Sequence, residues 1–356
     1  MYPDTTQHDR RSHRGRNAVI LWIFGAAISG AAIIIGVSVL APAPQALRIA
    51  INPWPGYEFA ALAEELGYYE DEGVNVRLIE LSSLGDSRRA FERGRTDGLF
   101  GTSIEMMQAR KASGREAVPV MVANFSDGAD VVLARTPIAG VSELAGKRIG
   151  VESGTLGMYV LLRSLESAGI AWGDVEIVHV PYTAQREAFE SGLIDAVVTF
   201  PPVSTELLEA GLGEVVFSSR DIPGEVVDLL AFDAEVLAER RSEVDAVLRA
   251  YFRAVEYLHS HPRDALRLMG ERTGMDPAEI AALLDGDIRL VGQDEQGEYL
   301  GAGGSLERIM ERTAEILRAP IAAHHDQLSA TTPPGVERDA PQDPVAEPVA
   351  EVMTGD

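Results

Sequence analysis

Short β-type runs alternate with helix-patterned segments from residue 47 to residue 232, and this alternation restricts the chain more than any other feature. Strand candidates fall at 48–52, 74–81, 98–101, 118–124 and 131–134, with helical patterns between them at 59–69, 84–93 and 104–112. A second series has strands at 148–151, 175–180, 193–199 and 226–232, and helices at 156–168, 184–191 and 203–210. A βαβα rhythm with short glycine-containing connections predicts mostly parallel sheets covered by helices on both faces. From 233 to about 318 the pattern is almost wholly helical, clearest at 244–259. Two α/β lobes with a helical C-terminal third are therefore expected. No repeat of fixed short period is visible, which argues against a solenoid.

The first strand breaks on Asn52-Pro53-Trp54-Pro55-Gly56-Tyr57-Glu58 and runs directly into a helical pattern. Ligands of open α/β sheets sit at such carboxyl ends, where a helix N-terminus presents free N–H groups. Trp54 and Tyr57 offer broad apolar faces with a polar edge. From these residues alone, a plug at the top of the sheet and a ligand wall are equally good readings. Small polar residues follow the other strands: Ser82-Ser83, Thr102-Ser103, Ser126-Asp127-Gly128, Ser153-Gly154-Thr155 and Tyr182-Thr183. Any one of them is best read as a helix cap. Five on one edge describe a small-molecule pocket. Ser153-Gly154-Thr155 is the most specific, because glycine lets a ligand approach the backbone. Glu58, Asp127, Asp130 and Glu152 lie near the same edges, where carboxylates could hold an amine or a pyrimidine N–H.

The ends differ from this middle. Arg10, Arg11, Arg14 and Arg16 precede an uncharged run over 18–40, long enough to span a bilayer. Residues 1–17 are then cytoplasmic, and everything after the run is exported. A cleaved signal peptide is the competing reading, but the small-residue sites at Ala41 and Ala43 are each followed by proline, which hinders cleavage. Residues 329–356 carry five prolines, six acidic residues and few large apolar ones, the composition of a disordered tail. The 356 residues, 46% of them hydrophobic, suffice for two domains.

Several function classes are excluded or disfavoured. A net charge of −24 repels nucleic acid. The absence of cysteine removes disulfides, thiolate metal sites, a cysteine nucleophile and a lipid-modified cysteine. G-x-S-x-G, Walker and H-E-x-x-H signatures are missing, and Gly301 to Gly304 follow no convincing strand. Lys111 and Lys147 are the only lysines, and Lys147 lies on the edge opposite the expected site, so a Schiff-base enzyme is disfavoured. His324-His325 lacks further ligands at metal spacing, and His179 reads as a buried structural residue. No metal or cofactor is expected.

Four segments together resemble the substrate-binding proteins of ABC importers, in the branch handling nitrate, sulfonates, bicarbonate and thiamine-pyrimidine precursors. They are the tryptophan loop 52–58; Leu144-Ala145-Gly146-Lys147-Arg148-Ile149-Gly150-Val151; Ile194-Asp195-Ala196-Val197-Val198-Thr199-Phe200-Pro201-Pro202; and Ser219-Arg220-Asp221-Ile222-Pro223-Gly224. The resemblance covers roughly 47–318. It implies a two-lobed type II periplasmic binding protein, with 47–130 and 228–320 in one lobe and 131–227 in the other. Crossovers near 130–135 and 224–228 would allow a hinge to close the lobes on a ligand. The cleft would be faced by Trp54, Gly56, Tyr57, Glu58, Ser82, Thr102, Ser126, Asp127, Ser153, Gly154, Thr155, Tyr182 and Phe200. The partners implied are a small ligand, an ABC permease and its ATPase, with the binding domain on the periplasmic side of the inner membrane. A tethered ligand sensor, or an enzyme on the same scaffold, are the alternatives. An anion binder would bring arginine or lysine to the cleft, whereas these loops offer carboxylates.

Overall fold

The computed structural model of the protein describes residues 45–301 and 303–331. The expected membrane span at 18–40 and the tail from residue 332 lie outside these residues. Among the described residues, no helix is long and apolar enough to cross a membrane.

Two sheets organise the chain from Ala46 onward. The first has the order β11-β4-β10-β3-β1-β2, built from β1 (Leu47–Ile51), β2 (Val76–Glu80), β3 (Gly98–Thr102), β4 (Ala117–Ser126), β10 (Val227–Asp233) and β11 (Ile288–Leu290). The second has the order β7-β6-β8-β5-β9, from β5 (Val131–Ala134), β6 (Arg148–Val151), β7 (Glu176–His179), β8 (Ala196–Thr199) and β9 (Glu214–Ser218). The chain crosses between sheets at 127–130 and returns at 219–226, which gives the two-lobed architecture. Both sheets are mixed rather than mostly parallel. β1 runs parallel to β2 and β3, but β10 is antiparallel to both β3 and β4. In the second sheet β5 is antiparallel to β8 and β9. The antiparallel strands next to the crossovers, β5 and β10, are those that carry the chain into a new lobe.

Burial explains the strand composition. Every residue of β3, Gly-Leu-Phe-Gly-Thr, is buried, because it lies between β1 and β10 under helices. Gly98 is required there: a Cβ would stand 2.8 Å from the Ala231 carbonyl oxygen and from the Phe232 ring. Phe100 packs against Tyr57 and Tyr251 with ring centroids 5.0 and 6.0 Å apart, tying the sheet to the helix Arg241–Ser260. That helix packs on the helix Glu58–Glu65, so the helical C-terminal region completes the first lobe. The single helix expected over 59–69 breaks at Gly67, whose φ of 71° is left-handed, and a short helix Tyr68–Asp71 follows.

The same device anchors each lobe. Arg48 at the start of β1 gives its backbone N–H, Nε and Nη2 to Asp97 at 2.8, 3.0 and 2.6 Å. Arg148 at the start of β6 does the same to Asp195 at 3.0, 3.0 and 2.7 Å. In both cases the aspartate precedes the neighbouring parallel strand, so the pair fixes register where two strands begin. Burial raises the Asp97 carboxyl, but the hydrogen bonds from Arg48 outweigh it and hold the group below the usual range.

Charged hydrogen bonds of this type contribute about 1.5–3 kcal/mol each, less where solvent screens them. Asp97 has a side-chain exposure of 11% and Asp195 of 28%. Asp97→Ala should therefore destabilise by about 2 kcal/mol and Asp195→Ala by about 1 kcal/mol in urea unfolding. A reversed order would show that exposure does not set the difference.

Candidate functional site

The carboxyl ends of β1, β3, β6 and β8 meet between the two sheets. After β1, the 3-10 turn Pro55–Tyr57 holds the Trp54 ring against the sheet, with its Nε1 donating to Asn124 Oδ1 at 3.2 Å. The far edge of that ring meets Phe200, which follows β8, at 5.8 Å and 78°. Phe200 stacks on Tyr182 at 4.4 Å and 12°. An aromatic chain thus crosses from the first lobe to the second.

Two polar bridges lie beside it. Ser83 caps the helix Leu84–Glu92, accepting the Asp86 amide at 3.1 Å, and donates its hydroxyl to Glu152 Oε1 in the second lobe at 2.7 Å. Arg89 Nη2 stands 4.0 Å from the same oxygen. Glu105 closes a capping box with Thr102 at the start of the helix Ser103–Ser113. Its other oxygen accepts the amide of Leu156 at 3.0 Å, the first residue of the second-lobe helix Leu156–Ser167. A first-lobe carboxylate therefore sits on a second-lobe helix N-terminus. The crossovers are stitched at their bases: Ser126 and Ser219 share a hydrogen bond of 2.8 Å, and the Asp130 amide donates to Ser126 at 3.1 Å.

Between these bridges is a cavity of about 20 Å³, lined by Asp130, Glu152, Thr155, Tyr182, Gln185 and Thr199 together with Leu84, Leu156, Gly157, Val198 and Phe200. Gln185 Nε2 donates to the Val198 carbonyl at 3.2 Å. Gln185 Oε1 and Thr199 Oγ1 are buried and find no partner among the described residues. Behind the cavity, Asp228 of β10 accepts the Tyr57 hydroxyl, and its Oδ2 has no partner among the described residues.

Burial raises all four carboxyl groups. Asp130 is pushed up to about 7 by desolvation, against a hydrogen bond from Ser126 and assisted by the charge of Glu105. Asp228 is raised well above its usual value by burial, against the Tyr57 hydrogen bond, with Asp130 and Glu105 adding repulsion. Glu105 is raised by burial despite its bonds from Thr102 and Leu156, and Glu152 despite Ser83 and Arg89. Among the described residues no group of His, Asp and Glu is arranged to hold a metal.

The residues expected at the cleft separate into three groups. Thr155, Tyr182 and Phe200 line the cavity, and Trp54 reaches it through Phe200. Ser153, Gly154, Thr102 and Ser126 border the interlobe seam in structural roles. Ser153 bonds His179, which is exposed at the end of its strand rather than buried. Gly154 has φ +67° and faces Gln108 and Arg88. Thr102 caps its helix, and Ser126 stitches the crossovers. The remaining five lie elsewhere. Gly56 serves packing, since a Cβ would meet Asn124 and Trp54 at 2.4 and 2.6 Å. The fully buried Tyr57 orders Asp228 from inside the first lobe. Glu58 is paired with Arg272, whose Nη1 is also 3.1 Å from Glu80 at the end of β2, and it does not line the cavity. Ser82 and Asp127 are exposed, and their near neighbours Ser83 and Asp130 turn inward. Glu105, Gln185, Thr199 and Asp228 were not singled out by the sequence. Only Glu105 carried a local signal, the capping-box spacing after Thr102.

A cleft closed between two mixed sheets joined by two crossovers defines the type II periplasmic-binding-protein fold. The chain belongs to the NMT1-like family, whose profile matches residues 40–269, more than half of its length. It is 27% identical over 218 residues to the protein named "Putative aliphatic sulfonates-binding protein" of Escherichia coli (strain K12), an alignment covering 60% of this chain and 62% of that relative. The alkanesulfonate-binding protein SsuA from Xanthomonas axonopodis pv. citri, bound to MOPS, superposes with a TM-score of 0.67 at 18% identity over 79% of this chain and 94% of that one. The desulfurization enzyme DSZB has the same fold, with a TM-score of 0.56 at 18% identity over 78% of this chain and 92% of its own.

An unfolded aspartate titrates near about 3.9, so the folded chain keeps a proton on Asp130 over a range in which the unfolded chain has lost it. This contribution is full below pH about 4 and is lost as pH rises through 7. Asp130→Asn should gain on the wild type by about 3–4 kcal/mol between pH 4 and pH 8 in urea unfolding. Parallel pH curves for the two proteins would contradict the assignment.

Proposed function

We propose that the chain is the extracytoplasmic solute-binding component of an ABC importer. It captures a small polar molecule between its lobes and delivers it to a permease driven by an ATPase, and it is held at the periplasmic face of the inner membrane through 18–40. The observation that carries this reading is the polar cavity enclosed by contacts that cross from lobe to lobe. Trp54 to Phe200, Ser83 to Glu152 and Glu105 to Leu156 all join residues from different sheets. Such contacts break when the lobes part and re-form when they close, which is how a hinge commits to a ligand. The family membership and the sulfonate-binding relatives support the same role. DSZB is an enzyme on this fold, whereas the lining of the present cavity has carboxylates and hydroxyls but no histidine, lysine or cysteine, so an enzyme reading would have to rest on Asp130 or Glu152 as base.

The lack of native cysteine makes a direct test clean. Glu65→Cys and Glu187→Cys place spin labels on exposed positions of different lobes. The interlobe distance distribution should narrow and shift to shorter values with a compound that calorimetry finds to bind, drawn from nitrate, ethanesulfonate, taurine and propylammonium. An unchanged distribution in the presence of a bound compound removes the capture reading.

A further inference from the structure

On the binding-protein reading, on which this inference rests, the chemistry of the cleft also selects the class of ligand. The helix N-terminus at Leu156 is the place in this cleft best suited to negative charge, and Glu105 already occupies it at 3.0 Å. The arginines nearest the seam are paired within their own helix, Arg88 Nη1 with Glu92 and Arg89 with Asp86 at 2.8 Å, although the buried Arg88 Nε finds no partner among the described residues. The cavity lining contains no arginine, lysine or histidine and two carboxylates, Asp130 and Glu152. A second, independent feature points the same way. Gln185 is 2% exposed and Thr199 3% exposed, and both line the cavity with an unpartnered oxygen, as does Tyr182 with a hydroxyl that can donate or accept. Because the Gln185 NH₂ group is fixed by the Val198 carbonyl, its free atom is an acceptor and calls for a donor. The volume of about 20 Å³ admits one water-sized group. An ammonium head fits that size and brings three donors, while a sulfonate is larger and brings none.

We propose that the cleft selects a small organic cation, seating the ammonium head of a primary amine between Asp130 and Glu152 with Gln185 Oε1 as a further acceptor, and that Glu105 turns free anions away by holding the helix N-terminus itself. The groups facing Asp130 are Glu105 from the helix Ser103–Ser113, Asp228 from β10, and the hydroxyls of Tyr57, Tyr182 and Ser126. None of these is a cation, so nothing in this set competes with the ligand for Asp130; Glu152, the other half of the seat, faces Arg89 Nη2 at 4.0 Å. Because Asp130 must ionise to meet a cation, and burial places its titration near 7, affinity rises with pH across neutrality.

The test is isothermal titration of the full-length chain in detergent with propylammonium and propanesulfonate, which match in carbon skeleton and differ in charge. Propylammonium should bind at pH 8 and lose about tenfold in affinity by pH 6, which is one decade per pH unit below the Asp130 titration. Asp130→Asn and Glu152→Gln should each weaken it tenfold or more, and propanesulfonate should give no binding. Propanesulfonate binding with propylammonium silent overturns the ligand class and leaves the binding-protein reading standing. Propylammonium binding that is indifferent to both substitutions overturns the assigned site. Silence of both probes, with nitrate and taurine silent too, overturns the class and the binding-protein reading together.

Discussion

The carboxylate of Glu105 belongs to two helices at once, and the closed form of the molecule depends on that double membership. One oxygen completes the cap of its own helix with Thr102, and the other satisfies a free N–H at the start of a helix in the opposite lobe. The group is fully buried, so its charge is stabilised by donors and by the helix dipole rather than by water. Each lobe supplies what the other lacks. Parting the lobes exposes both ends of the contact to solvent.

The other interlobe contacts share this economy. Ser83 caps one helix while donating to Glu152, and Ser126 receives the Asp130 amide while meeting Ser219. Residues whose default work is capping therefore also carry the seam. The long C-terminal helix Ser305–Thr331 reinforces the hinge, because Arg312 comes within 3.7 Å of Glu225 in the return crossover, which also receives Tyr159 and Arg163. On the proposed hinge, a seam of dual-purpose polar groups favours two discrete arrangements over a continuous range, because each contact is either made or broken.

Much of this was legible in the sequence, and the exceptions have physical causes. The strands at 131–134 and 148–151 stand where the apolar runs put them, because their burial on both faces leaves an unbroken signal. β9 and β11 escaped notice: one is a partly exposed edge strand, the other three residues inside a helical region. Parallel pairing was overestimated because strand order is set by crossovers, which periodicity does not record. Among the expected cleft loops, the residue that turns inward often lies one to three positions from the one named, as with Ser82 and Ser83 or Asp127 and Asp130. Which residue of a turn points inward depends on the cap geometry of the following helix, and that is settled by tertiary contact. Glu58 carries a carboxylate at the expected edge, yet Arg272, distant in sequence, pairs with it there and it does not line the cavity. The helical pattern around Arg272 held no sign of that pairing.

The acidic cleft has a thermodynamic consequence for closure. A helix N-terminus favours negative charge whoever supplies it, and here the protein supplies its own. Once Glu105 is seated, Asp130 and Asp228 lie in its field and in that of each other, and burial denies them water. The closed cleft without a counter-charge therefore holds protons that it would release to a cation. A cation entering the cavity removes the repulsion that opposes closure, whereas an anion adds to it. Affinity and closure are in this way two readings of one free energy, because the ligand stabilises the closed arrangement only by the charge that arrangement lacks. The residue that sets the sign of the ligand is then Glu105, which need not touch the ligand at all.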